Sequence, residues 1–482
     1  MNQIKLNKSK YFSGLQCEKK LFLDLNESIK YKNNRPNNKK QLLELSFKYF
    51  KNKYLNELPQ LYNSDKFSEN FKTQKPFYSI NFSLDNKDLR LNYDTIIYKD
   101  NKITLFLVKS AIYPKKTYIK ELALQKYLIE KNYDLEIHTN LILVNKEYQF
   151  TSAELNLDKY LNILDCTEKV NQILSEEIAT NINNIQKQIK SNKLPEKDIG
   201  SHCKNPYQCN YFDYCRINLP DYHVEQIPSQ NKDLKETLIQ LGISDIKKLP
   251  ELEPITLLQK RVIDSVKSSK EYISKELPNI IEDLTFPLYY LDFETIISPY
   301  KIFPSTKPFE PIPCMWSLHR EDINNNLTYS NYYKFSGNDP RDGFIEELIN
   351  SIGETGNILI YSDFEIRILN MIAKTHPQYA SSIKNIINRC VDMLKITKEN
   401  YYHPIFKGSF SLKTVSKILS DEKMYNMEYV NSGDEASMIL IDLITDNIDT
   451  DLRHNYEKDL LSYAEKDTLN LVYLYHHLKS VS

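Results

Sequence analysis

Glycine and tryptophan are scarce in this chain, with 9 and 1 among 482 residues, and long apolar stretches are missing altogether. A run of about 18 apolar residues, which a membrane-spanning helix requires, does not occur. The first residues, Met-Asn-Gln-Ile-Lys-Leu-Asn-Lys, lack the apolar core of a secretory signal. These absences exclude a helical membrane protein, and we expect a cytoplasmic protein with no membrane partner.

Net charge is also nearly absent, at −1 for the chain, but the charges are unevenly distributed. Residues 1–60 hold 13 Lys and Arg against 5 Asp and Glu, whereas residues 421–482 hold 5 against 13. A basic N-terminal region suits a phosphate backbone, and a solvated lysine-rich surface explains it equally well. Charge alone leaves a nucleic-acid partner open.

The length and the 41% apolar content predict an α/β protein with more than one domain. We expect a first domain over residues 1–222, a helical connector over 223–285 and a second domain over 286–482. The apolar pattern predicts helices over 7–60, 117–131, 364–374, 411–420, 434–446 and 454–479. It predicts strands over 78–84, 89–98, 103–110, 136–144, 287–295, 326–335 and 357–362. The expected buried stripe of the last helix is Leu460, Ala464, Thr468, Leu471, Leu474 and Leu478.

Two carboxylates end an apolar strand in the C-terminal part, where residues 289–294 read Tyr-Tyr-Leu-Asp-Phe-Glu. Because the side chains of a strand alternate, Asp292 and Glu294 share one face. Tyr463 and Asp467 are four residues apart in a helical segment, so they share a helix face. Such acids bind divalent ions in two-metal phosphodiesterases, and a neighbouring tyrosine can orient the attacking water.

A further acid is expected just after the strand at 357–362, where residues 358–365 read Ile-Leu-Ile-Tyr-Ser-Asp-Phe-Glu. We predict Glu365 as the ligand there, with Asp363 as its rival. Each motif alone is more often structural than catalytic. The order and spacing of the three motifs, with their strand and helix contexts, favour a metal site.

With these motifs the C-terminal part resembles the DEDDy branch of the DnaQ-like 3′–5′ exonucleases, which have a ribonuclease-H-like fold. The resemblance implies that nucleotides are removed from the 3′ end of DNA or RNA with two Mg²⁺ or Mn²⁺ ions. It implies that Asp292, Glu294, Glu365 and Asp467 bind the metals and that Tyr463 positions the water. Glu365 departs from the family, which usually has Asp at this position.

Two further segments lie near these motifs in sequence. Asp392 stands where related exonucleases carry an Asp that is not a ligand, and we expect a structural role for it. The Gly408-Ser409 turn and Lys413 fit a phosphate-binding backbone. A helix cap by Ser409 or Ser411 explains the same residues equally well.

Three cysteines, Cys203, Cys209 and Cys215, lie in one short loop with five residues between successive members. In an expected cytosolic protein this argues for a metal site rather than for disulfides, and Cys17 is the candidate fourth ligand. This arrangement resembles the iron–sulfur nucleases of the RecB superfamily, with their PD-(D/E)XK-type fold. The resemblance implies a [4Fe–4S] cluster that ties the two ends of the domain together. Zinc is the alternative, although the two-residue spacing of zinc knuckles is absent.

The same superfamily cuts with an Asp…Glu-x-Lys motif. The resemblance matches Asp94 to the first acid, Lys109 to the lysine and Gln125 to a glutamine of the following helix. Leu107 takes the place of the second acid, and leucine cannot bind magnesium. Glu44, on an early helix, is a candidate to compensate in part. We therefore expect this domain to hold nucleic acid without cutting it.

Taken together, the two parts resemble a bacterial family of unknown function. Its C-terminal features match Leu291-Asp292-Phe293-Glu294, Pro313–His319, Tyr402-His403-Pro404 with Gly408-Ser409, and the Tyr463–Asp467 pair. The sequence predicts a metal-dependent nuclease with an iron–sulfur nucleic-acid-binding domain. The alternative is an inactive nucleic-acid-binding or scaffold protein, and no protein partner follows from the sequence.

Overall fold

In the computed structural model, the described residues are 4–26, 38–54, 56–61, 66–173, 175–419, 427–446 and 448–482. They form a mixed α/β structure, which confirms the expected fold class. The chain divides into two compact units. The first unit is Met1–Ile217 with Pro299–Phe309, and the second is Asn218–Ser298 with Glu310–Ser482. Among the described residues, no helix has the length and hydropathy needed to cross a membrane.

The first unit is built around one five-stranded sheet. Its helices are α1 (Lys8–Gln16), α2 (Glu18–Asn26), α3 (Asn38–Tyr54), α4 (Phe67–Lys72), α5 (Lys116–Asn132), α6 (Leu157–Tyr160), α7 (Thr167–Asn171), α8 (Ser175–Ser191) and α9 (Phe212–Arg216). Its strands are β1 (Phe77–Asp85), β2 (Arg90–Lys99), β3 (Lys102–Val108), β4 (Glu136–Val144) and β5 (Leu161–Asp165). The strands lie in the order β1-β2-β3-β4-β5, and only the β3–β4 pair is parallel. Helix α5 makes the connection that a parallel pair requires.

Alternation along β3 places two hydrophobic cores on opposite faces of this sheet. Leu105 and Leu107 pack into one core, and Phe106 and Val108 into the other. The segment 299–309 completes the second core and is joined to it by backbone hydrogen bonds. The Phe150 N–H donates to the Thr306 carbonyl at 2.9 Å, for example.

The second unit also has a five-stranded sheet, with strands in the order β11-β10-β7-β8-β9. Its helices are α10 (Lys232–Leu241), α11 (Leu257–Ser268), α12 (Leu277–Glu282), α13 (Arg341–Ile352), α14 (Phe364–Thr375), α15 (Ala380–Arg389), α16 (Met393–Asn400), α17 (Leu412–Val415), α18 (Gly433–Ile444) and α19 (Thr450–Val481). Its strands are β6 (Tyr272–Ile273), β7 (Leu288–Ile297), β8 (Pro311–Glu321), β9 (Leu327–Tyr333), β10 (Ile358–Ile360), β11 (Cys390–Asp392) and β12 (Tyr401–Tyr402). The expected connector, 223–285, lies within this unit and holds α10 to α12.

Strand β7 separates two hydrophobic cores of the second unit. Leu291 and Phe293 point into one core with α13 to α15, whereas Leu288 and Tyr290 point into the other, where α19 packs. Asp292 and Glu294 continue the row of Tyr290 and therefore face the side covered by α19. All six residues of the predicted α19 stripe are buried, which confirms that prediction.

Candidate metal centre and cysteine group

Three carboxylates meet in the second unit. Asp292 and Glu294 come from β7, and Asp467 comes from the middle of α19. One ligand oxygen of each lies within 4.8 Å of the others. Among the described residues, this is the one group of His, Cys, Asp or Glu side chains whose ligand atoms lie close enough together to hold a metal ion. Residues more than 170 positions apart in sequence thus converge as predicted.

Tyr463 lies one helical turn before Asp467 on α19, as the predicted spacing requires. Its hydroxyl is hydrogen-bonded to the Asp467 side chain. Burial raises the pKa of Tyr463, and the negative charges of Asp467, Glu294 and Asp292 raise it further. The phenol therefore stays protonated at physiological pH and can donate a hydrogen bond.

Glu365 is the fourth acid, and the turn after β10 directs it inward. Ser362, between β10 and α14, has φ 120, a conformation that is unusual for a residue with a side chain. The Glu365 side chain in the first turn of α14 is buried, and its charge acts on Asp292 and Glu294. Its rival Asp363 is 69% exposed and pairs with Arg367 at 3.2 Å. The charge of Glu365 thus reaches Asp292 and Glu294, although Glu365 is not among the three acids whose ligand oxygens meet within 4.8 Å.

Burial is the main reason why these acids are hard to ionise. It raises the pKa values of Asp292 and Glu294 well above the ordinary range, and repulsion from Asp467 raises them further. Burial raises the pKa of Glu365 to about 8, with Asp392 adding to the effect. Within the described residues, Oε2 of Glu365 is buried and has no hydrogen-bond partner. An unpartnered oxygen and repelling acids are what a cation would stabilise, so these residues fit the predicted ions.

A buried contact that the sequence analysis did not identify as part of the site holds α19 on the sheet beside it. Nδ1 of His319, on β8, lies 2.8 Å from Oγ1 of Thr468, the residue after Asp467. Burial lowers the pKa of His319 to about 4, so the ring is neutral at physiological pH. The pair fixes α19 against β8 and so helps to fix the position of Asp467, the residue before Thr468. The sequence signal for this contact was Thr468, a polar residue in the otherwise apolar stripe of α19.

The two further segments have cap functions in the structure. Asp392 accepts hydrogen bonds from the N–H groups of Leu394 at 2.9 Å and Lys395 at 3.1 Å, which caps α16. Ser411 accepts from the Thr414 N–H and caps α17. The observed contacts therefore favour the structural role for Asp392 and the helix cap for Ser411.

The four predicted cysteine ligands lie close enough to affect one another electrostatically. Burial raises the pKa values of the thiols of Cys203, Cys209 and Cys215, and the charge of Cys17 raises all three further. All four are free thiols, so they form no disulfide. Gln16, next to Cys17, donates hydrogen bonds to the carbonyls of His202 at 2.8 Å and Tyr207 at 2.7 Å. The end of α1 is thereby tied to the loop of the other three cysteines.

The predicted degenerate site is occupied by internal contacts. Asp94 accepts from the Val108 N–H at 2.8 Å, and Gln125 donates to the Asn92 carbonyl at 2.9 Å. Leu107 is buried in the hydrophobic core, and the Lys109 ammonium lies 2.6 Å from the Glu121 carboxylate. Lys8 binds the other oxygen of Glu121 at 2.7 Å. Sequence reasoning missed Glu121, because its importance comes from facing Lys109 across the β3–α5 packing.

Glu44, the candidate to compensate for Leu107, is exposed on α3. Its charge acts on Tyr300, which packs in the core on the Phe106 and Val108 face of the sheet. Leu107 points to the opposite face. These contacts give no support to Glu44 as a substitute ligand.

Comparison with known proteins gives one partial match. No curated protein matches the chain. The family model of a domain of unknown function (DUF2779) matches residues 289–411, about a quarter of the chain. That segment contains Asp292, Glu294 and Glu365, and it ends before Tyr463 and Asp467. The similarity to this family therefore covers the strand and the turn that supply three of the four acids.

Proposed function

We propose that the protein is a two-metal-ion 3′–5′ exonuclease that hydrolyses phosphodiester bonds of DNA or RNA. The observation that carries this proposal is the convergence of Asp292, Glu294 and Asp467 to within 4.8 Å. Glu365 supports it because its charge acts on Asp292 and Glu294 and because one of its oxygens is buried without a hydrogen-bond partner.

In the proposed reaction, Asp292, Glu294, Glu365 and Asp467 would hold two Mg²⁺ or Mn²⁺ ions. When bound, such a pair activates the attacking water and stabilises charge on the attacking and leaving oxygens. The Tyr463 hydroxyl, beside Asp467, orients that water by donating or accepting a hydrogen bond. The β7 and α19 backbones fix the acids before the substrate arrives, which lowers the entropic cost of alignment.

The topology of the second unit agrees with the proposed ribonuclease-H-like fold. Strands β7, β8 and β9 form an antiparallel run, and β10 and β11 pair in parallel on the other side of β7. The acids thus come from the central strand, the turn after the neighbouring parallel strand and the last helix. The direction of degradation, from the 3′ end, rests on the resemblance to the DEDDy exonucleases.

For the first unit we propose a degenerate RecB-like nuclease fold that binds nucleic acid and carries a [4Fe–4S] cluster. The hydrogen bonds that tie Gln16, next to Cys17, to the loop of Cys203, Cys209 and Cys215 support a four-thiolate site. The electrostatic effect of Cys17 on these three thiols agrees with it. Four thiolates also suit zinc, which remains the alternative metal. Burial of Leu107 in the core supports the loss of cutting in this unit.

Leu107 also favours the second candidate function, a binding or scaffold protein in which both units are inactive. One unit already lacks a required acid, so inactivity is tolerated in part of the molecule. The four retained acids of the second unit favour activity over this alternative.

A single assay separates the two candidates. Single-stranded DNA and RNA labelled at the 5′ end would be incubated with the full chain and Mn²⁺. The exonuclease predicts a ladder of shortening products that EDTA stops and that Asp292→Asn abolishes. Asp363→Asn is the matched control, because this exposed acid lies close in sequence and should leave the ladder unchanged. Binding without any product from either strand would reject the exonuclease in favour of the scaffold.

A further inference from the structure

Exposed tyrosines and lysines form a surface in the first unit where β3 ends and α5 begins. We define the tyrosine–lysine surface as Tyr113, Lys115, Lys116, Lys146 and Tyr207. The two tyrosines are 56% and 51% exposed, and the three lysines are exposed as well. Exposed aromatic rings beside exposed lysines are the combination that stacks bases and contacts phosphates in single-strand binding proteins.

Contacts within the first unit link these residues into one surface. The Lys146 ammonium donates to the Tyr113 hydroxyl at 2.9 Å and lies 5.2 Å from the centre of its ring. The Lys115 ammonium lies 6.0 Å from the centre of the Tyr118 ring, and Tyr207 acts electrostatically on Tyr118. The Tyr207 carbonyl accepts a hydrogen bond from Gln16 at 2.7 Å, which holds the backbone of this tyrosine in place.

Two acids near the lysines of this surface, Glu121 and Glu147, are already paired with lysines. Lys8 and Lys109 bind the two oxygens of Glu121. Lys307 binds Glu147 at 2.9 Å, whereas the Lys146 ammonium is 3.8 Å from that acid. The lysines at 115 and 116 also stand at the N-terminus of the 17-residue helix α5, where backbone N–H groups favour phosphate.

We propose that the tyrosine–lysine surface binds single-stranded nucleic acid, with bases stacked on Tyr113 and Tyr207 and phosphates on the lysines. Only unpaired bases expose a face to stack, so the aromatic part selects single strands over duplex. Stacking and phosphate contacts are shared by DNA and RNA. The inference rests on the proposed function for its substrate class, but not on any metal or on cutting.

The test measures binding by the full chain in EDTA, so that no degradation occurs. Fluorescein-labelled oligothymidylate, oligouridylate and a duplex would be titrated by fluorescence anisotropy at several salt concentrations. Tyr113→Ala should weaken single-strand binding about 5- to 100-fold, and Tyr113→Phe should bind like the wild type because stacking is kept. The duplex affinity should change little in both.

The lysines are tested through the salt dependence. The double variant Lys115→Glu, Lys116→Glu should lower the slope of log affinity against log salt by about 1.4, because two phosphate contacts are lost. Lys187→Glu with Lys190→Glu is the matched control, since both lysines are exposed on α8 of the same unit. A difference between the oligothymidylate and oligouridylate affinities would show which strand the surface prefers.

The outcomes separate this inference from the proposed exonuclease. If Tyr113→Ala and Tyr207→Ala both bind single strands like the wild type, the surface is wrong, whatever the nuclease assay shows. If they bind weakly while the wild type cuts nothing with Mn²⁺, the surface stands and the exonuclease is rejected. If the α8 control variant weakens single-strand binding as much as the Lys115→Glu, Lys116→Glu variant does, the effect comes from overall charge. That result would overturn the inference.

Discussion

At the level of single residues, Asp292, Glu294 and Glu365 are held where none of the three ionises readily. Burial is the largest cause of the raised pKa values of Asp292, Glu294 and Glu365, and mutual repulsion adds to it for Asp292 and Glu294. A fold gains nothing from such an arrangement without a cation. The raised pKa values are therefore an argument for the proposed metal site.

Removal of one acid should be far more damaging than removal of the tyrosine hydroxyl. Asp467→Asn is expected to lower kcat by several orders of magnitude, because an amide cannot balance the charge of the ions. Tyr463→Phe keeps all four acids and should lower kcat by about 10- to 100-fold through poorer water orientation. Rates on a 5′-labelled strand would measure both, and equal losses would argue against the assigned roles.

The raised pKa of Glu365 predicts how stability depends on pH and metal. An acid whose pKa is raised on folding contributes stability that is present below its unfolded pKa and lost as pH rises through its folded pKa. For Glu365 this window runs from about 4.5 to about 8. We expect Glu365 to make the Tm of the metal-free protein fall as the pH rises through this range. Other groups that titrate in the same range add their own contributions to the Tm.

Mn²⁺ should reverse that loss, because protons and metal compete for the same oxygens. The increase in Tm on adding Mn²⁺ should be larger at pH about 8 than at pH about 6. Thermal unfolding of wild type and Asp292→Asn would measure it. An equal increase at both pH values, or an undiminished one in the variant, would speak against binding at these acids.

The site residues that could be predicted from the sequence are those whose spacing places them on the same face of one strand or one helix. Asp292 with Glu294, and Tyr463 with Asp467, follow from strand and helix periods alone. The choice between Glu365 and Asp363 needed the turn at Ser362, because both lie in the same short segment. The Thr468–His319 bond and the role of Glu121 depend on packing between distant elements, which no local spacing reports.

At the level of elements, long segments with a regular apolar pattern could be predicted from the sequence, whereas a strand buried on both faces and very short strands could not. The predicted strand 136–144 matches β4, and the predicted helix 364–374 differs from α14 by one residue. Strand β8 was missed because it is buried on both faces between β7 and β9, which removes the alternation that reveals a strand. Strands β5 and β11 were missed because they have five and three residues.

The packing of α1, β3 and α5 predicts the effect of removing Lys109. Lys109→Ala leaves Glu121 with Lys8 as its remaining lysine partner, so the first unit should lose about 1–3 kcal/mol of stability. Metal-dependent degradation should be nearly unchanged, because Leu107 already prevents a metal site there. Urea unfolding and the labelled-strand assay would measure the two effects. If Lys109→Ala abolishes cutting and Asp292→Asn does not, the active site lies in the first unit and its assignment to the second unit is wrong.

At the level of the whole molecule, sequence-distant segments complete each unit. The chain leaves β7, contributes residues 299–309 to the first unit and returns as β8. Proline marks this excursion, with Pro299, Pro304 and Pro308 in the segment, but the prediction of one unbroken domain over 286–482 did not use that signal. Hydrogen bonds from Gln16 join the end of α1 to the loop of Cys203, Cys209 and Cys215, about 190 residues later, and the cysteine spacing was visible in the sequence.

That cysteine tie predicts a metal content that separates ligands from ordinary thiols. Protein purified without oxygen should be brown and carry about four iron and four sulfide per chain. Cys17→Ser and Cys203→Ser should lose iron and lower the Tm of the first unit, because a link between distant segments is removed. Cys166→Ser is the control, since that buried thiol bonds the Leu164 carbonyl and should keep the iron. If the protein is colourless and carries one zinc, the iron–sulfur assignment is wrong and zinc is the metal, while the assignment of the four cysteine ligands is kept.

The central claim, a two-metal site built by β7, the turn after β10 and α19, is tested most directly by anomalous diffraction from crystals soaked in Mn²⁺. The claim predicts two anomalous peaks about 4 Å apart, lying among Asp292, Glu294, Glu365 and Asp467. Both peaks should disappear in Asp292→Asn crystals. Wild-type crystals that diffract well and show no manganese at these four acids would contradict it.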